Sequence, residues 1–454
     1  MGVTEKLCQL VCATGYEDLT EDARSAARRL VADGLAVAVA GSKQEASPGV
    51  LAGHLQEMGG IEAASAIGFG FRTSPVNAAY LNGVSMHVLD FEPMWNPANH
   101  QLSTTLPAAL ALAEWRGGTG REILTALVKG IEMQGWVRQA SQQFEARQAR
   151  FHPPGQVGPM GGAVAAGHML GLDIDGLRNA LGIAASRAGS LLANAGTMTK
   201  STNCGVAVSA GLDAAMLAAR GFTANPDIFE APQGYVDGLF DDRFELDELL
   251  NYGPPYRVVE PGYAIKMFPS QYGTHFAITA AIELHGKVGD PAQIESVEVV
   301  TPQMFYIDRP NPMTGLAGKF SWQYVTASGL LDGKVKMATF EDERRFAPDM
   351  EDMLGRISVD MREDIPARFD QMHVETTVHL KDGTSVTARC DGPRGKWGSP
   401  PIPDEDHLAK VRDCLAVRLD DGQAEEVVAL AGRIDDLDAG EVKRLMSIVA
   451  TPGA

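Results

Sequence analysis

The sequence changes its periodicity at Pro254-Pro255, and this change limits the folds that the chain can adopt. Up to about residue 250, apolar residues recur every three or four positions, alanine is abundant and β-branched runs are short, which is typical of helices. Beyond the prolines, residues 294–301 (IESVEVVT) alternate as a strand does, and residues 373–389 (HVETTVHLKDGTSVTAR) predict a hairpin that turns at Asp382-Gly383. The chain therefore combines a helical bundle with an α+β region.

The length of 454 residues predicts two domains, because a single core rarely grows beyond about 250–300 residues. Helix-like segments lie between the predicted strands, whereas the tail from Asp404 returns to acidic amphipathic helices. We predict a mainly α fold with a large all-helical domain, residues 1–264 plus 396–454. A smaller α+β domain, residues 265–395, is inserted in it.

Helix ends in the first part are marked by capping residues. Thr20 precedes acidic residues and a periodic run that reaches Val39, so it is a candidate N-cap. Ser103 is a candidate N-cap for the helix that carries LPAALALAEW, and Gly117 is suited to end that helix. The polar segments between such helices are therefore loops, where functional residues concentrate.

The charge balance excludes two classes of partner. The chain has 39 Lys and Arg against 58 Asp and Glu, a formal net charge of −19, which disfavours nucleic acid and anionic membranes. No apolar run approaches the roughly 18 residues of a membrane span, and the start lacks a secretory signal. The five cysteines contain no C-x-x-C pair, which argues against a disulfide framework or zinc cluster. We expect a cytoplasmic protein.

Four segments place titratable residues among Gly, Pro and small residues. In sequence order they carry Asp90, Glu92 and His100 (LDFEPMWNPANHQLS), His152 (FHPPGQVG), Lys200 (NAGTMTKSTNCG), and Lys266 with His275 (IKMFPSQYGTH). Histidines, a lysine and an aspartate on loops between buried helices are the groups needed to abstract a proton next to a carboxylate.

Each of these residues also has a structural interpretation, as a cap or a hydrogen-bonded side chain. We assign that role outright to His87, His168, His285, His373, His379 and His407. The glycine-rich run GPMGGAVAAG is not preceded by a strand, so close helix packing explains it better than a nucleotide loop. No pair of His or carboxylate residues has the short spacing of a metal site, so we predict no metal.

At these same segments the sequence resembles the MmgE/PrpD family over nearly its whole length. The most specific parts are LDFEPMWNPANHQLSTTLPAALALAEW, FHPPGQVGPMGGAVAAGHMLGLD, TMTKSTNCGVAVSAGLDAAMLAARGFT and KMFPSQYGTHFAITAA. The resemblance implies a helical domain built from both chain ends, an α+β lid domain, a homodimer and no cofactor. It also implies a substrate with two or three carboxylates.

The resemblance implies particular site residues by motif position. They are Asp90, His100, His152, Lys200, His275 and, in KFSWQYVTA, Tyr324. A polycarboxylate approaching an acidic protein needs local cations, for which Lys266, Arg309 and Lys319 are candidates. We predict that these three residues and Asn203 bind the substrate. Two positions depart from the family pattern, because Met94 stands where a hydroxyl is usual and Asn203 where many members have His.

The predicted function is a cofactor-independent lyase, a dehydratase or decarboxylase that transfers a proton next to a carboxylate of a small di- or tricarboxylic acid. Epimerisation of a dicarboxylate such as iminodisuccinate is the second possibility, because the family contains such an enzyme and it needs the same electrostatic support. A non-catalytic paralogue is the third, favoured by Met94 and Asn203.

Overall fold

The structure, a computed structural model, describes residues 2–145, 151–397 and 399–453. Helices dominate it, in agreement with the predicted periodicity. Up to the main sheet they are α1 (Val3–Ala13), α2 (Glu21–Gln44), α3 (Ala46–Met58), α4 (Pro75–Val88), α5 (Leu106–Arg116), α6 (Gly120–Ala140), α7 (Pro153–Leu170), α8 (Ile174–Ala185), α9 (Met198–Ala218), α10 (Tyr235–Leu239) and α11 (Thr274–Val288). Those that follow are α12 (Gly315–Gly318), α13 (Trp322–Asp332), α14 (Asp342–Arg345), α15 (Pro348–Leu354), α16 (Asp404–Leu415), α17 (Asp421–Gly432) and α18 (Ala439–Val449).

The strands form two short pairs and one four-stranded mixed sheet. The antiparallel pairs are β1 (Ala64–Ser65) with β2 (Arg72–Thr73), and β3 (Met94–Trp95) with β4 (Tyr263–Ala264). The sheet has the order β6 (Ile357–Arg362), β5 (Ile294–Pro302), β7 (Val374–Leu380) and β8 (Ser385–Cys390), and β5 and β6 are its parallel pair. The mainly α fold with a small mixed sheet is confirmed, as is the hairpin, in which Gly383 takes a φ of 84°.

The helical core is built around α2. Thr20 caps this helix as predicted, because its hydroxyl accepts a hydrogen bond from the Ala23 N–H at 3.2 Å. Leu30 and Leu35 of α2 lie in one cluster with Val411 and Leu445 from the tail helices. The tail therefore packs on the N-terminal helices, while the boundaries of the two predicted domains remain a prediction.

A second core joins the sheet to α11 and α13. Ile278 and Val325 of these helices pack with Val299 of β5 in a single buried cluster. Met94, from the loop after α4, belongs to the same cluster. The first of the four polar segments therefore lies where the two cores meet.

Close helix packing explains the glycine-rich run. A Cβ added to Gly162 of α7 would meet the Val208 carbonyl of α9 at 3.0 Å, and one at Gly211 would collide with the Pro159 carbonyl. The prediction for Ser103 is wrong: α5 begins at Leu106 without a side-chain cap, because Ser103 binds Glu92 instead. Gly117 ends α5 with a φ of 78°, as predicted.

Among the described helices, none is both long and apolar enough to cross a membrane. All five cysteines are described and all are free thiols, four of them buried.

Candidate active site

Asp90 is the centre around which the other site residues are arranged. It follows the end of α4 in a left-handed conformation, with a φ of 51°, and its N–H donates to the His87 carbonyl at 2.8 Å. The side chain is buried and binds two ammonium groups. Lys200 Nζ lies 2.5 Å from Oδ2, and Lys266 Nζ donates to Oδ1 and, at 2.9 Å, to the Asp90 carbonyl oxygen.

The two lysines reach Asp90 from different parts of the chain. Lys200 lies in the first turn of α9, and Lys266 follows β4, which pairs with β3 just after Asp90. Burial alone would raise the pKa of the Asp90 carboxyl, but Lys200 and Lys266 hold it well below its usual range. Burial lowers the pKa of Lys266 to about 8, opposed by Asp90. One anion therefore faces two cationic groups.

Three imidazole rings surround the Lys200 ammonium. The ring centroids of His87 and His100 are 4.5 Å apart, and those of His87 and His152 are 5.7 Å apart. Burial lowers the pKa of all three, of His152 to about 3, and Lys200 adds to the shift by repulsion. The histidines are therefore neutral near pH 7.

A buried carboxyl group lies behind the imidazoles. Glu92 Oε1 is 2.7 Å from His87 Nδ1 and 3.4 Å from His100 Nδ1, and both Glu92 oxygens accept hydrogen bonds from Ser103. Burial raises the pKa of Glu92 to about 8. His87 Nε2 lies 3.0 Å from Lys200 Nζ, so His87 stands between Glu92 and Lys200.

These groups border a cavity of about 80 Å³, enough for several waters or a small polar ligand, since one water needs about 10–15 Å³ on the same measure. Its polar lining consists of Asp90, Asn99, His100, Arg138, Gln143, Glu145, His152, Lys200, Gln271 and Tyr306. Its apolar lining includes Met94, Phe144, Pro153, Leu192, Phe320 and Phe369. Lysine, arginine and imidazole side chains thus line one cavity.

Comparison with known proteins decides the family. A model of the MmgE/PrpD N-terminal domain matches residues 5–247, and one of the MmgE/PrpD C-terminal domain matches residues 268–435. The chain belongs to the MmgE/PrpD family.

Relatives in the family carry two activities. The chain is 32% identical to cis-aconitate decarboxylase from Mus musculus over 389 residues, which is 83% of this chain and 79% of that protein. It is 31% identical to cis-aconitate decarboxylase from Homo sapiens over 380 residues, covering 81% and 78%. It is 28% identical to 2-methylcitrate dehydratase from Cupriavidus necator over 320 residues, covering 63% of each chain.

Four of the residues expected from the family resemblance line the cavity: Asp90, His100, His152 and Lys200. Lys266 is not among the described residues that line the cavity, but it forms an ion pair with Asp90, which does line it. Asn203, at the position where many family members have His, donates from Nδ2 to His152 Nδ1 at 3.3 Å. This hydrogen bond orients the imidazole ring of His152.

His275 and Tyr324, also expected in the site from the family resemblance, are not among the described residues that line the cavity. The His275 ring packs 5.2 Å from those of Phe268 and Tyr272, and its loop instead presents Gln271 to the cavity. The Tyr324 hydroxyl donates to the Thr339 carbonyl inside the second core. The roles of both residues in the site stay predictions.

Two predicted substrate-binding cations have protein partners for their charged groups. Arg309 donates to the Tyr306 carbonyl at 3.0 Å and to the Ala195 carbonyl at 2.8 Å. Lys319 forms an ion pair with Glu45 at 2.8 Å. Neither lines the cavity among the described residues. Besides Lys200, the buried cation that does is Arg138, near the end of α6. Sequence reasoning missed it because its helix otherwise looks like ordinary core.

His87 was also missed, because a histidine in the last turn of a helix was interpreted as structural. Its position three residues before Asp90 was the available signal, since this spacing brings both to the same helix end.

The ligand atoms of His87, Glu92 and His100 lie within 4.8 Å of one another, a set of ligand types that could hold a metal ion. Two ligands of one tetrahedral Zn²⁺, each about 2.0–2.2 Å from the ion, are roughly 3.4 Å apart. The 2.7 Å separation of His87 Nδ1 and Glu92 Oε1 is instead a hydrogen-bond distance. We therefore interpret the set as a hydrogen-bonded network, and independence from metal and cofactor stays a prediction.

Proposed function

We propose that this protein is a lyase that decarboxylates a small tricarboxylate of the cis-aconitate type. The observation that carries the proposal is the Lys200 ammonium, which lines the cavity together with the neutral imidazoles of His100 and His152. A cation beside proton-transfer groups is what stabilises an enolate-like intermediate next to a carboxylate.

Charge balance supports a polyanionic substrate. The acids that line the cavity are Asp90 and Glu145, and the cations that line it are Lys200 and Arg138. Lys266, which binds Asp90 from outside the lining, adds a third cationic group, so three cationic groups face two acids and leave a surplus of one positive charge. This surplus is local, because the whole chain has a net charge of −19. Substrate capture therefore depends on these few cations and weakens as salt is added.

Arg138 is our candidate for binding a second carboxylate. Its side chain is 2% exposed and lines the cavity, with contacts to Ser141 Oγ at 3.3 Å and the Gln143 carbonyl at 2.7 Å, while its Nε–H has no partner in the described part of the chain. Burial lowers the pKa of Arg138 to about 10, which leaves it charged at neutral pH. Arg138→Met should raise KM for the tricarboxylate about tenfold or more, the scale of a hydrogen bond to a charged group, with a smaller change in kcat.

The reaction then follows from the positions of these groups. The carbon–carbon bond to one carboxylate breaks, CO₂ leaves, and the electron pair is delocalised toward a neighbouring carboxylate held near Lys200. The bound substrate brings negative charge, which raises the pKa of His100 and His152 and so favours their protonation. Either imidazole, or Lys200, can then return a proton to carbon.

Decarboxylation is preferred to dehydration because the similarity to the decarboxylases covers more of the chain than the similarity to the dehydratases. Epimerisation is the second candidate. It needs two proton-transfer groups on opposite faces of one carbon, and the ring centroids of His100 and His152, which both line the cavity, are 6.4 Å apart.

The test is to incubate the purified protein with citrate-like, unsaturated and aspartate-derived acids in D₂O and to follow the products by NMR. Loss of CO₂ supports the proposal, loss of water indicates a dehydratase, and exchange of an α-proton without loss indicates an epimerase. If a folded protein turns over none of these acids, the non-catalytic alternative holds. The homodimer and the lack of a cofactor remain part of the proposal, tested by light scattering and by activity after exhaustive dialysis with a chelator.

A further inference from the structure

Tyr306 contributes a hydroxyl group to the cavity lining. It is a half-buried residue of the short 3-10 helix Phe305–Ile307, and it lines the cavity together with Gln271. The polar ends of the two side chains meet, with Gln271 Nε2 2.7 Å from the Tyr306 hydroxyl oxygen. Which of these two groups donates decides what the hydroxyl can offer to a ligand.

A backbone N–H fixes the orientation of the Gln271 amide. Gln271 Oε1 accepts a hydrogen bond from the Thr274 N–H at 3.1 Å, and a backbone N–H can only donate. If the amide were turned over, its NH₂ group would face that N–H, which would place two donors together without an acceptor. Gly273 leaves room for the observed arrangement, because a Cβ there would lie 2.9 Å from Oε1. The NH₂ group therefore points at Tyr306 and donates to it.

Since the Tyr306 oxygen accepts from Gln271, its own hydrogen is directed elsewhere. Within residues 2–145, 151–397 and 399–453, Gln271 is the only hydrogen-bond partner of this hydroxyl. Burial raises the pKa of the Tyr306 phenol and the charge of Asp90 raises it further, against Gln271 and Arg309, so the hydroxyl keeps its hydrogen at neutral pH. Tyr306 is thus a neutral donor whose hydrogen has no protein acceptor in the described part of the chain.

Arg309 restrains the backbone that carries Tyr306. Its Nε donates to the Tyr306 carbonyl at 3.0 Å, and its guanidinium also donates to the Ala195 carbonyl at 2.8 Å. Ala195 itself lines the cavity. Arg309 therefore ties the backbone of Tyr306 to another part of the cavity wall.

We propose that the Tyr306 hydroxyl donates a hydrogen bond to a carboxylate of the bound substrate, and that Gln271 is the positioning residue that directs this hydroxyl. That the ligand is a small polycarboxylate rests on the proposed function. A carboxylate offers only acceptors, so it pairs with an O–H that no protein group uses, and hydrogen bonds to an ionised acceptor are among the strong ones. Tyr306 thus adds a neutral donor to the cations Lys200 and Arg138.

The first test measures binding without turnover. Propane-1,2,3-tricarboxylate, a saturated tricarboxylate, is the probe, and its Kd is measured by titration calorimetry. Tyr306→Phe should raise this Kd about tenfold, the low end for a hydrogen bond to a charged group. An unchanged Kd in the folded variant, or no binding of the probe by the native protein, overturns the inference.

Tyr263→Phe is the matched control. Its hydroxyl donates to the Ala26 carbonyl at 3.1 Å, and Tyr263 is not one of the described residues that line the cavity. This variant should bind the probe as the native protein does. If it loses as much affinity as Tyr306→Phe, the loss does not come from a contact in the cavity and the inference fails.

The salt dependence of binding separates a neutral donor from a cation. Tyr306→Phe removes no charge, so the change of Kd with added salt should stay native, whereas Arg138→Met should make it shallower. An equally shallow dependence in Tyr306→Phe would mean that the variant disturbs the cations, which contradicts a direct hydrogen bond from the hydroxyl.

A double-mutant cycle tests the positioning role of Gln271. Gln271→Met keeps the length of the side chain but removes the N–H that directs the hydroxyl. We expect the Kd of the probe to rise about threefold, within the range for fixing one side-chain rotamer. In the Tyr306→Phe background, Gln271→Met should change the Kd no further. Additive losses would show that Gln271 binds the ligand itself and would overturn its positioning role.

These outcomes are distinct from those of the proposed function. If Tyr306→Phe weakens binding of the probe but no acid loses CO₂, the hydroxyl contact stands and the proposed decarboxylation fails. If an acid is decarboxylated and the probe binds equally to the native protein and Tyr306→Phe, the inference fails and the proposed function stands.

Discussion

Two buried aspartates are held by the same kinds of side chain but differ in what surrounds them. In what we call the cavity centre, Asp90 binds Lys200 and Lys266 and lies 3.6 Å from His100 Nε2. In what we call the core centre, Asp33 of α2 binds His407 Nε2 at 3.0 Å and Lys410 Nζ at 2.8 Å, both from α16. Both aspartates are almost fully buried.

The difference lies in access and in charge. Asp90 borders the cavity and faces two lysines, whereas Asp33 faces one lysine, and none of the three core-centre residues lines the cavity. Lys410 Nζ also donates a hydrogen bond to the Phe91 carbonyl at 2.8 Å. A buried Asp, Lys and His are therefore a structural bridge in one place and a candidate site in the other, and residue type alone does not separate them.

The largest effect should come from breaking the core centre. Lys410→Ala leaves Asp33 without its ammonium partner, and we expect a loss of about 3–5 kcal/mol in the free energy of unfolding, measured by urea denaturation. Lys287→Ala, which removes an exposed ion pair with Glu283, should change it by less than about 0.5 kcal/mol. Equal losses in the two variants would contradict a structural role for the core centre.

Lys200→Ala should lower turnover strongly and stability only slightly, the reverse of what we expect for Lys410→Ala. We expect kcat for the tricarboxylate to fall by at least about a hundredfold, or about 2.7 kcal/mol in barrier height, because a group that stabilises charge or moves a proton is lost. The loss of stability should be smaller than for Lys410→Ala, because Lys266 still neutralises Asp90. Near-normal turnover in the folded variant would remove Lys200 from the site.

The pH dependence of the free energy of unfolding tests how strongly burial in the cavity centre shifts the pKa of His152. The unfolded chain binds a proton on this residue below its ordinary pKa of about 6.5, whereas burial holds the pKa of the native His152 at about 3. Stability therefore falls as the pH falls, and this residue should account for about 2 kcal/mol between pH 7 and pH 5. His152→Gln should reduce the pH dependence of urea unfolding by that amount.

Tyr324→Phe should give the smallest change. Its hydroxyl donates to the Thr339 carbonyl, so the variant should lose about 0.5–1.5 kcal/mol of stability, the usual worth of one hydrogen bond. Turnover should stay at the native level because the hydroxyl lies away from the cavity. A large loss of kcat in a stable variant would return Tyr324 to the site, as the family resemblance suggested.

The sequence predicted the parts of the site that lie at helix ends. Asp90 after α4, His152 at the start of α7 and Lys200 in the first turn of α9 are next to Pro, Gly or polar loops that periodicity locates. Partners that are distant in sequence were not predictable in this way. Lys319 pairs with Glu45, and no local pattern connects the two.

Side-chain direction was the other part that the sequence did not determine. Ser321 caps α13 and fixes where the helix begins, whereas the Tyr324 ring packs 6.0 Å from that of Phe340 in the second core and is not among the described residues that line the cavity. Similarly, the loop after Lys266 determines that Gln271 rather than His275 faces the cavity. A motif match identifies positions in the sequence. Which of those side chains line the cavity depends on the direction in which each helix or loop presents them.

The φ of 51° at Asp90 also limits which amino acids evolution or protein engineering can place there. Among residues with a side chain, Asp and Asn tolerate this backbone conformation best, so a longer acid such as Glu would meet a backbone penalty before any chemistry is considered. Asp90→Asn therefore removes the charge while keeping the turn, and Asp90→Gly keeps the turn without a side chain. The position is a natural place to separate the contribution of backbone shape from that of charge.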